Sequence, residues 1–372
     1  MKTKTKTKGF NKAKKLNSKK LNFALIGCGK IVNKHIAALE KIPNVSLIAV
    51  CDLDEKKAKE VAKKLKISFY NDYKKMLEKE KNIDVVCILT PSGTHAEVAI
   101  NVAKYRKHIV VEKPMALKLE DADDMIRACD ENDVKLFVVK QNRYNQAIRH
   151  LRKAVKEGKF GKLLHGTIRV RWCRKQDYYD EADWRGTWWG DGGVFTNQAS
   201  HHIDLLEWMM GDVESVMCMT KTHLADIETE DTGVAILRFT NGALGIIEAT
   251  TATRPSDLEG SISVLGEKGS VVVGGFAANQ ILTWKFENEL EHESKILDDY
   301  KNLPKSVYYQ NHYEYLKDVV DCILNNKQAL VDGLEGRKSL ELINALYESA
   351  ETGKEVFLRF KPKMSRLGKK QE

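Results

Sequence analysis

The feature that most constrains the fold is a set of short, unbroken apolar segments in the first 140 residues. The segments are Leu21–Ile26, Leu47–Cys51, Val85–Leu89, Ile109–Val111 and Leu136–Val139. They are rich in Val, Ile and Leu and show no apolar–polar alternation. Strands that are buried on both faces need this composition, so the segments predict a parallel sheet covered by helices.

Helical patterns separate these segments. Lys56–Lys66 and Leu119–Asn132 place apolar residues at helical spacing and charged residues elsewhere. The resulting β-α-β-α order predicts that residues 21–142 form an α/β domain with a doubly wound parallel sheet.

The pattern changes after about residue 143. Its elements are a helix at Ala147–Glu157, a strand at Leu164–Arg174, a helix at His201–Met210, antiparallel strands over Ser215–Trp284, and helices at Tyr308–Asn325 and Glu335–Gly353. We predict that residues 143–360 form an α+β domain with a mostly antiparallel open sheet. Lysine-rich tails, residues 1–20 and 361–372, flank the two domains.

Two tight turns are predicted within the second sheet. Thr240-Asn241-Gly242 lies between two strand-like stretches, and Asn-Gly tolerates the positive φ angles of a type I′ hairpin turn. Gly266-Glu267-Lys268-Gly269 has the composition of a second turn.

A glycine turn follows the first predicted strand, in the sequence Gly27-Cys28-Gly29-Lys30-Ile31. Gly27 permits the tight turn, and Gly29 lets the backbone approach a pyrophosphate at the N-terminus of the next helix. Val32 stands where the third glycine of the GxGxxG pattern is expected. Strand, glycines and helix occur in the order of a Rossmann domain, which predicts dinucleotide binding.

Asp52 ends the second predicted strand. A carboxylate there accepts hydrogen bonds from ribose hydroxyls and repels a 2′-phosphate, which favours NAD over NADP. Asp52 is also a candidate N-cap for the following helix, although Asp54 offers the same chemistry.

Polar residues follow two further strands at the same sheet edge, where ligands of open α/β sheets bind. The candidate cofactor-binding residues there are Thr90, Pro91, Ser92, His95, Glu112 and Lys113. Pro114 restricts the backbone at Lys113, which therefore points from a defined place toward the nicotinamide region. A lysine that ends a buried strand favours catalysis or anion binding, since its burial is otherwise unfavourable.

The motifs GCGKI, AVCDLD, TPSGTH, EKPMAL and HHID occur in an order that resembles the Gfo/Idh/MocA oxidoreductases over residues 21–360. This resemblance implies Lys113 and His201 as the catalytic pair and a homo-oligomer, a tetramer or dimer. The family often has aspartate four residues before its histidine, where this chain has Asn197.

A narrower resemblance rests on VKQNRYN, YYD, WRGTW, DGG and NQ. Together they are similar to the UDP-N-acetylglucosaminuronate 3-dehydrogenases, which oxidise a sugar C3 hydroxyl with NAD for lipopolysaccharide and O-antigen synthesis. This resemblance implies a nucleotide-sugar substrate and adds Gln141 to the cofactor site. Asn145, Asn197 and Gln198 join Lys113 and His201 among the candidate substrate-binding residues.

The residue chemistry agrees with these assignments. Oxidation of an alcohol requires a base for the hydroxyl proton as hydride leaves carbon. Burial beside a cationic nicotinamide lowers the pKa of a lysine, so either Lys113 or His201 is the base and the other binds the same oxygen. His202 is interpreted as a packing residue, and Asp204 as a local hydrogen-bonding partner.

A nucleotide sugar acid carries a diphosphate and a carboxylate, which arginine binds well. The candidates in the second half are Arg143, Arg174 and Arg185, with Lys175 beside them, and Tyr179, Trp184 and Trp188 as aromatic surfaces for sugar or uracil. The alternative is that this aromatic-rich loop is only the core of a lid. Arg169 and Arg171 alternate with apolar residues and are expected on a solvent or subunit face.

Bulk properties narrow the function classes. The net charge of +9 is matched by nine lysines in residues 1–20, so the remainder is formally neutral and gives no reason to invoke nucleic acid. The tail is either solvated or a weak anionic contact. The sequence has seven scattered cysteines and neither a membrane span nor a signal peptide, which predicts a cytoplasmic protein. It has no zinc-ligand spacing, so we predict no metal. An inositol or free-sugar dehydrogenase, or a non-catalytic NAD sensor, remain the alternatives.

Overall fold

The first domain contains a six-stranded parallel sheet. In this computed structural model, which describes residues 20–287 and 310–358, the strand order is β3-β2-β1-β4-β5-β6. The strands are β1 (Leu21–Ile26), β2 (Val45–Cys51), β3 (Ser68–Tyr70), β4 (Val85–Ile88), β5 (His108–Val111) and β6 (Leu136–Val138). The doubly wound parallel sheet is confirmed, and β3 is a strand that the apolar pattern did not predict. The predicted tails lie outside the described residues, apart from Lys20.

Helices cover both faces of this sheet. They are α1 (Val32–Leu39), α2 (Glu55–Leu65), α3 (Tyr73–Lys79), α4 (His95–Lys104) and α5 (Leu119–Glu131). The Asp54 side chain accepts hydrogen bonds from the backbone amides of Lys56 and Lys57 and caps α2. Asp72 caps α3 in the same way. The alternative role of Asp52 as the cap of α2 is therefore excluded.

The second domain is built on an eight-stranded sheet of order β13-β12-β11-β7-β10-β9-β8-β14. The strands are β7 (Leu163–Arg171), β8 (Val213–Lys221), β9 (Thr232–Phe239), β10 (Leu244–Thr250), β11 (Glu259–Gly266), β12 (Gly269–Gly274), β13 (Gln280–Phe286) and β14 (Val356–Phe357). The pair β7–β10 is parallel and the other pairs are antiparallel, which confirms the mostly antiparallel sheet.

One face of this sheet packs against helices and the other is open. The helices α6 (Gln146–Lys156), α8 (Ser200–Met210) and α10 (Gly333–Thr352) bury their apolar residues against it, and the short α7 (Gln176–Asp180) precedes α8. The open face presents apolar side chains from the central strands, including Met217, Met219, Val234, Ile236 and Ile246.

Both predicted hairpins form, but the first has a different turn. Gly242 has φ +86° and its amide donates to the carbonyl of Phe239, whereas Asn241 does not have a positive φ. A type I′ turn needs positive φ at both central residues, so the prediction of that turn type was wrong. A three-residue loop that ends on a left-handed glycine connects β9 to β10 instead.

The last part of the chain returns to the first domain. Helix α9 (Gln310–Leu324) packs on α1, and its Tyr315, Leu316 and Val319 share a buried cluster with Phe23 and Val85. Packing therefore crosses the predicted division at residue 142. None of the described helices is both long and apolar enough to cross a bilayer.

Candidate active site

The carboxyl ends of the parallel strands gather most of the predicted site residues. Gly27 follows β1 with φ +101°, and a Cβ there would lie 2.5 Å from the carbonyl oxygen of Leu89. Only glycine fits this close approach between two strand ends. The predicted role of Gly27 in a tight turn is supported by this geometry.

Gly29 has a different reason to lack a side chain. Apart from chain neighbours, no heavy atom of the described residues lies within 4 Å of a Cβ built on it. The space that the Cβ would take is open, as a pyrophosphate that contacts this backbone requires. Ile31, which directly precedes α1, packs against the apolar core of the first domain rather than facing this space.

Asp52 organises the same loop. One carboxylate oxygen accepts from the Cys28 amide at 2.6 Å and the other accepts from the Asp54 amide at 2.8 Å. Asp52 therefore stands partly buried at the end of β2, beside the glycine turn. This position suits a ribose and disfavours a 2′-phosphate. Together, Gly27, Gly29 and Asp52 fit NAD.

Lys113 follows β5 and points toward the second domain. Its Nζ donates to the backbone oxygen of Asn197 at 2.9 Å and to the side-chain oxygen of Asn197 at 3.2 Å. Burial lowers the pKa of Lys113 from its usual 10.5, against the opposing charges of Glu112 and Asp191. The amine is thus brought toward the neutral form that can accept a proton.

A carboxylate stands directly behind Asn197. The Asn197 amide nitrogen lies 2.8 Å from each oxygen of Asp191, which is 3% exposed. Burial raises the pKa of Asp191 to about 6. The family often has a carboxylate at the position of Asn197. In this chain the carboxylate belongs instead to Asp191, behind Asn197, a residue that the sequence did not single out.

His201 lies in the first turn of α8 and is nearly buried. Its Nε2 is 3.0 Å from the Gln141 amide nitrogen, while its Nδ1 and the Gln141 side-chain oxygen have no partner among the described residues. Burial and the neighbouring Lys113 charge lower the pKa of His201 well below its usual value. Gln141, predicted as a cofactor residue, therefore contacts the candidate catalytic imidazole.

Glu112 is held from behind by a buried cluster. Its side chain is 2.8 Å from His35 Nε2, and His312 lies beside both. Burial alone would raise the pKa of Glu112, but the His35 hydrogen bond and nearby charges lower it to about 2. These residue types also bind metals, and here His35 and Glu112 pair directly with each other.

His95 and Thr90 connect two loops. The His95 ring nitrogens lie 2.8 Å from the Pro114 carbonyl oxygen and 2.9 Å from that of Thr90, and the ring is 1% exposed. The ring therefore connects the ends of two strands, and the contact of His95 with the cofactor stays a prediction. Ser92 and Pro91 lie in the turn between them, next to Gly93, whose amide donates to the Gly190 carbonyl of the second domain.

Lys30 and Arg185 share one carboxylate. Lys30 Nζ lies 2.6 Å and 2.5 Å from the two oxygens of Glu181, and Arg185 pairs with the same group. Glu181 therefore links the glycine turn to the segment in which we expect the substrate.

Arg143 and Asn145 do not face the cleft. Arg143 is 3% exposed and pairs with Asp204 and Glu335, and Asn145 accepts from the Ala147 amide at the start of α6. Ion pairs and capping occupy their polar atoms here, and their roles in substrate binding stay predictions. Asp204 likewise pairs with Arg143, 61 residues earlier in the chain, rather than locally within its helix.

The two tyrosines of α7 have opposite environments. The Tyr179 hydroxyl is buried 2.9 Å from the Thr251 hydroxyl, and its substrate contact stays a prediction. Tyr178 instead lies under the guanidinium groups of Arg174 and Arg185, at 5.5 Å and 4.3 Å from its ring centre. Tyr178 is a functional candidate that the sequence analysis quoted but did not select.

The remaining candidates lie in several environments. Gln198 is 3.4 Å from its hydroxyl, and Arg174 also pairs with Asp257. Trp184 contacts Arg185 and is partly buried, whereas Trp188 is exposed. His202 is fully buried edge-on to Trp172, as expected of a packing residue.

A dinucleotide-binding sheet joined to a second domain, with a buried imidazole near a lysine whose pKa is lowered, defines an NAD-dependent oxidoreductase. The chain belongs to the Gfo/Idh/MocA family. Residues 21–140 match the oxidoreductase family, NAD-binding Rossmann fold, and residues 148–272 match the GFO/IDH/MocA C-terminal domain. The protein is therefore an NAD-dependent dehydrogenase.

Particular relatives narrow the comparison. The chain is similar to the WlbA dehydrogenase of Bordetella pertussis, solved with NADH and UDP-GlcNAcA, at 42% identity over 92% of this chain and 99% of that one, with a TM-score of 0.88. The Chromobacterium violaceum WlbA dehydrogenase, with the same ligands, is 41% identical over 92% and 97%, with a TM-score of 0.86. The myo-inositol 2-dehydrogenase of Thermotoga maritima is 28% identical over 91% of this chain and 98% of its own length.

Proposed function

We propose that this dehydrogenase oxidises the C3 hydroxyl of UDP-N-acetylglucosaminuronic acid to the 3-keto sugar. The observation that carries the proposal is the 42% identity, over nearly the whole of both chains, to an enzyme solved with NADH and UDP-GlcNAcA. By the same reasoning we propose a place in lipopolysaccharide or O-antigen sugar synthesis, in the cytoplasm.

Lys113 and His201 are proposed as the catalytic pair. Bound NAD⁺ supplies the hydride acceptor. The Gln141 amide nitrogen faces His201 Nε2, which must then accept, so the ring proton resides on Nδ1. The Lys113 amine takes the hydroxyl proton, and His201 lies beside it as the second group of the pair. This arrangement makes Lys113 the base.

Substrate phosphates and carboxylate require cations. Arg174, Arg185 and Lys30 are proposed for this role, because they lie around Tyr178 and Glu181 rather than in a buried network. An aromatic surface at Tyr178, Trp184 or Trp188 suits the uracil or sugar ring. When an anionic ligand enters, it replaces Glu181 as the partner of Lys30 and Arg185.

The open face of the second sheet is proposed as the subunit interface of a homo-oligomer. Met217, Met219, Val234, Ile236 and Ile246 expose apolar area on adjacent strands, and Arg171 beside them pairs with Glu248. Contiguous apolar area of this kind is unusual on a monomer in water.

The test is turnover of the proposed substrate. Purified protein is incubated with NAD⁺ and UDP-GlcNAcA, together with a ketoacid that accepts hydride from bound NADH, and the sugar product is analysed by NMR. We expect a ketone at C3. Absence of C3 oxidation by protein that binds NADH would overturn the substrate assignment.

A second candidate is oxidation of an inositol, which the myo-inositol 2-dehydrogenase relative favours. The two are separated by competition, because uridine diphosphate should inhibit a nucleotide-sugar enzyme and leave an inositol dehydrogenase unaffected. Parallel assays with myo-inositol complete the comparison.

A further inference from the structure

We propose that Asp191 is a positioning residue for Lys113, which it orients through the side-chain amide of Asn197. This inference deepens the proposed function, since it concerns the base of the same reaction. Asp191 does not touch the reacting atoms. Its role is to decide which end of the Asn197 amide faces the amine.

The first step is the orientation of the amide. Both oxygens of Asp191 lie 2.8 Å from Asn197 Nδ2. A carboxylate only accepts hydrogen bonds, so the nitrogen of the amide must face Asp191 and its oxygen must face Lys113. Asp191 is 3% exposed, so no bulk water competes for this arrangement.

The second step is the orientation of the amine. A neutral amine has two N–H groups and one lone pair, and two oxygens of Asn197 lie within hydrogen-bond distance of Lys113 Nζ, at 2.9 Å and 3.2 Å. Both N–H groups are therefore held on the Asn197 side. The lone pair is left for the hydroxyl proton of the substrate. A reversed amide would donate to that lone pair and block it.

The third step is the charge. Asp191 is one of two carboxylates that stabilise the ammonium form of Lys113, with Glu112, while Lys34 and Lys140 oppose it. Arg185 and Tyr178 face Asp191 from the other side. Burial lowers the pKa of Lys113, and the Asp191 carboxylate raises it. Asp191 therefore partly offsets the effect of burial on this pKa.

The test uses two substitutions and their combination. Asp191→Asn removes the charge and the requirement for one amide orientation. Asn197→Asp brings a second carboxylate against the first. The double variant Asp191→Asn/Asn197→Asp exchanges the two side chains and keeps the total charge. The control is Asp123→Asn, which removes a carboxylate that pairs with Arg337 on α10.

The readouts are the pKa of Lys113 and the rate of hydride transfer. The first is followed by ¹³C NMR of ε-labelled lysine in the NADH complex, with the signal assigned by Lys113→Arg. The second is the single-turnover formation of NADH from UDP-GlcNAcA as a function of pH. The affinity for NADH is measured in every variant by fluorescence.

We expect Asp191→Asn to lower the pKa of Lys113 by roughly one pH unit. The hydride-transfer rate on the plateau of the pH profile should fall about tenfold, because a misoriented base provides only part of its usual rate enhancement. NADH affinity should stay within twofold. The double variant should regain most of the rate, with the inflection of the pH profile at a higher pH, because its carboxylate faces Lys113 directly.

An unchanged Lys113 titration in Asp191→Asn would overturn the proposal, as would a rate loss that merely follows loss of NADH affinity or of folded protein. If the wild-type protein does not oxidise UDP-GlcNAcA but Asp191→Asn still lowers the Lys113 pKa, the positioning role stands and the proposed substrate is wrong. The two failures are therefore distinguishable.

Discussion

Arg143 donates two hydrogen bonds to Asp204, from Nε to one oxygen and from Nη2 to the other, each 2.8 Å long. The side chains are 3% and 2% exposed. Glu335 binds the same guanidinium at 2.9 Å, and Lys140 lies 3.6 Å from Asp204. This network joins the turn after β6 to the helix that carries His201.

We expect Arg143→Met to lower the free energy of unfolding by about 3–5 kcal/mol, because removal of one partner leaves a buried carboxylate short of compensation. Urea unfolding followed by circular dichroism measures the change. Arg169→Met, in which the replaced side chain is 47% exposed, is the control and should change stability by less than about 1 kcal/mol. A rise in substrate KM without loss of stability would instead restore Arg143 to the substrate site.

Lys113→Met should lower the hydride-transfer rate by about 10²- to 10⁴-fold, the usual contribution of a general base. Cofactor binding should persist, since the glycine turn and Asp52 are untouched. Stopped-flow absorbance gives the rate and fluorescence gives the NADH affinity. Lys118→Met, at an exposed lysine five residues further on, should leave both values unchanged. Equal activity of the two variants would exclude Lys113 as the base.

Gly27→Ala and Gly29→Ala should fail for different reasons. Gly27→Ala forces a Cβ against the Leu89 carbonyl at positive φ, so we expect a loss of stability of at least about 1–3 kcal/mol. Gly29→Ala meets no protein atom and should keep the wild-type stability, but weaken NADH binding at least tenfold. Urea unfolding and NADH titration of both variants separate the effects. Tight NADH binding by Gly29→Ala would show that the open space is not where the pyrophosphate lies.

The buried imidazole of His202 predicts a pH-dependent stability. Burial lowers the pKa of His202 from 6.5 to about 4. The unfolded chain therefore binds more protons than the folded one between these values, so stability is fully present above pH 6.5 and falls as the pH drops toward 4. The loss attributable to this residue is about 3 kcal/mol.

Urea unfolding between pH 4 and 7 tests this expectation. His202→Gln should show a shallower decline than the wild type, whereas His223→Gln, at an exposed histidine, should follow the wild-type curve. Parallel curves for all three proteins would mean that His202 does not contribute to the acid sensitivity.

The parallel sheet could be predicted because its strands are continuous apolar segments. The glycine turn and Lys113 could be predicted because each directly follows such a segment. Strand β3 was not predicted because it is not a continuous apolar segment. It is a three-residue edge strand, Ser-Phe-Tyr, that pairs with β2 alone. Its pairing with the neighbouring strand defines it, and no local pattern reports that pairing.

The contacts at the site that the sequence did not predict have a common physical origin. Arg143 stands where a substrate arginine is plausible, but its partner Asp204 is 61 residues away, and only the fold brings them together. Tyr178 and Tyr179 are adjacent on a helix of five residues, too short for periodicity to show which one is buried. Asp191 was quoted only within the DGG motif, because its contact with Asn197 depends on the path of the chain between them.

The return of α9 to the first domain has a consequence for biosynthesis. Tyr315, Leu316 and Val319 cover apolar residues that leave the ribosome almost 300 residues earlier. Until translation is nearly complete, this apolar surface of the nascent first domain is exposed to water or bound by a chaperone. A message truncated before the codon for residue 310 would therefore yield an aggregation-prone product, although it would contain every strand of the dinucleotide-binding sheet.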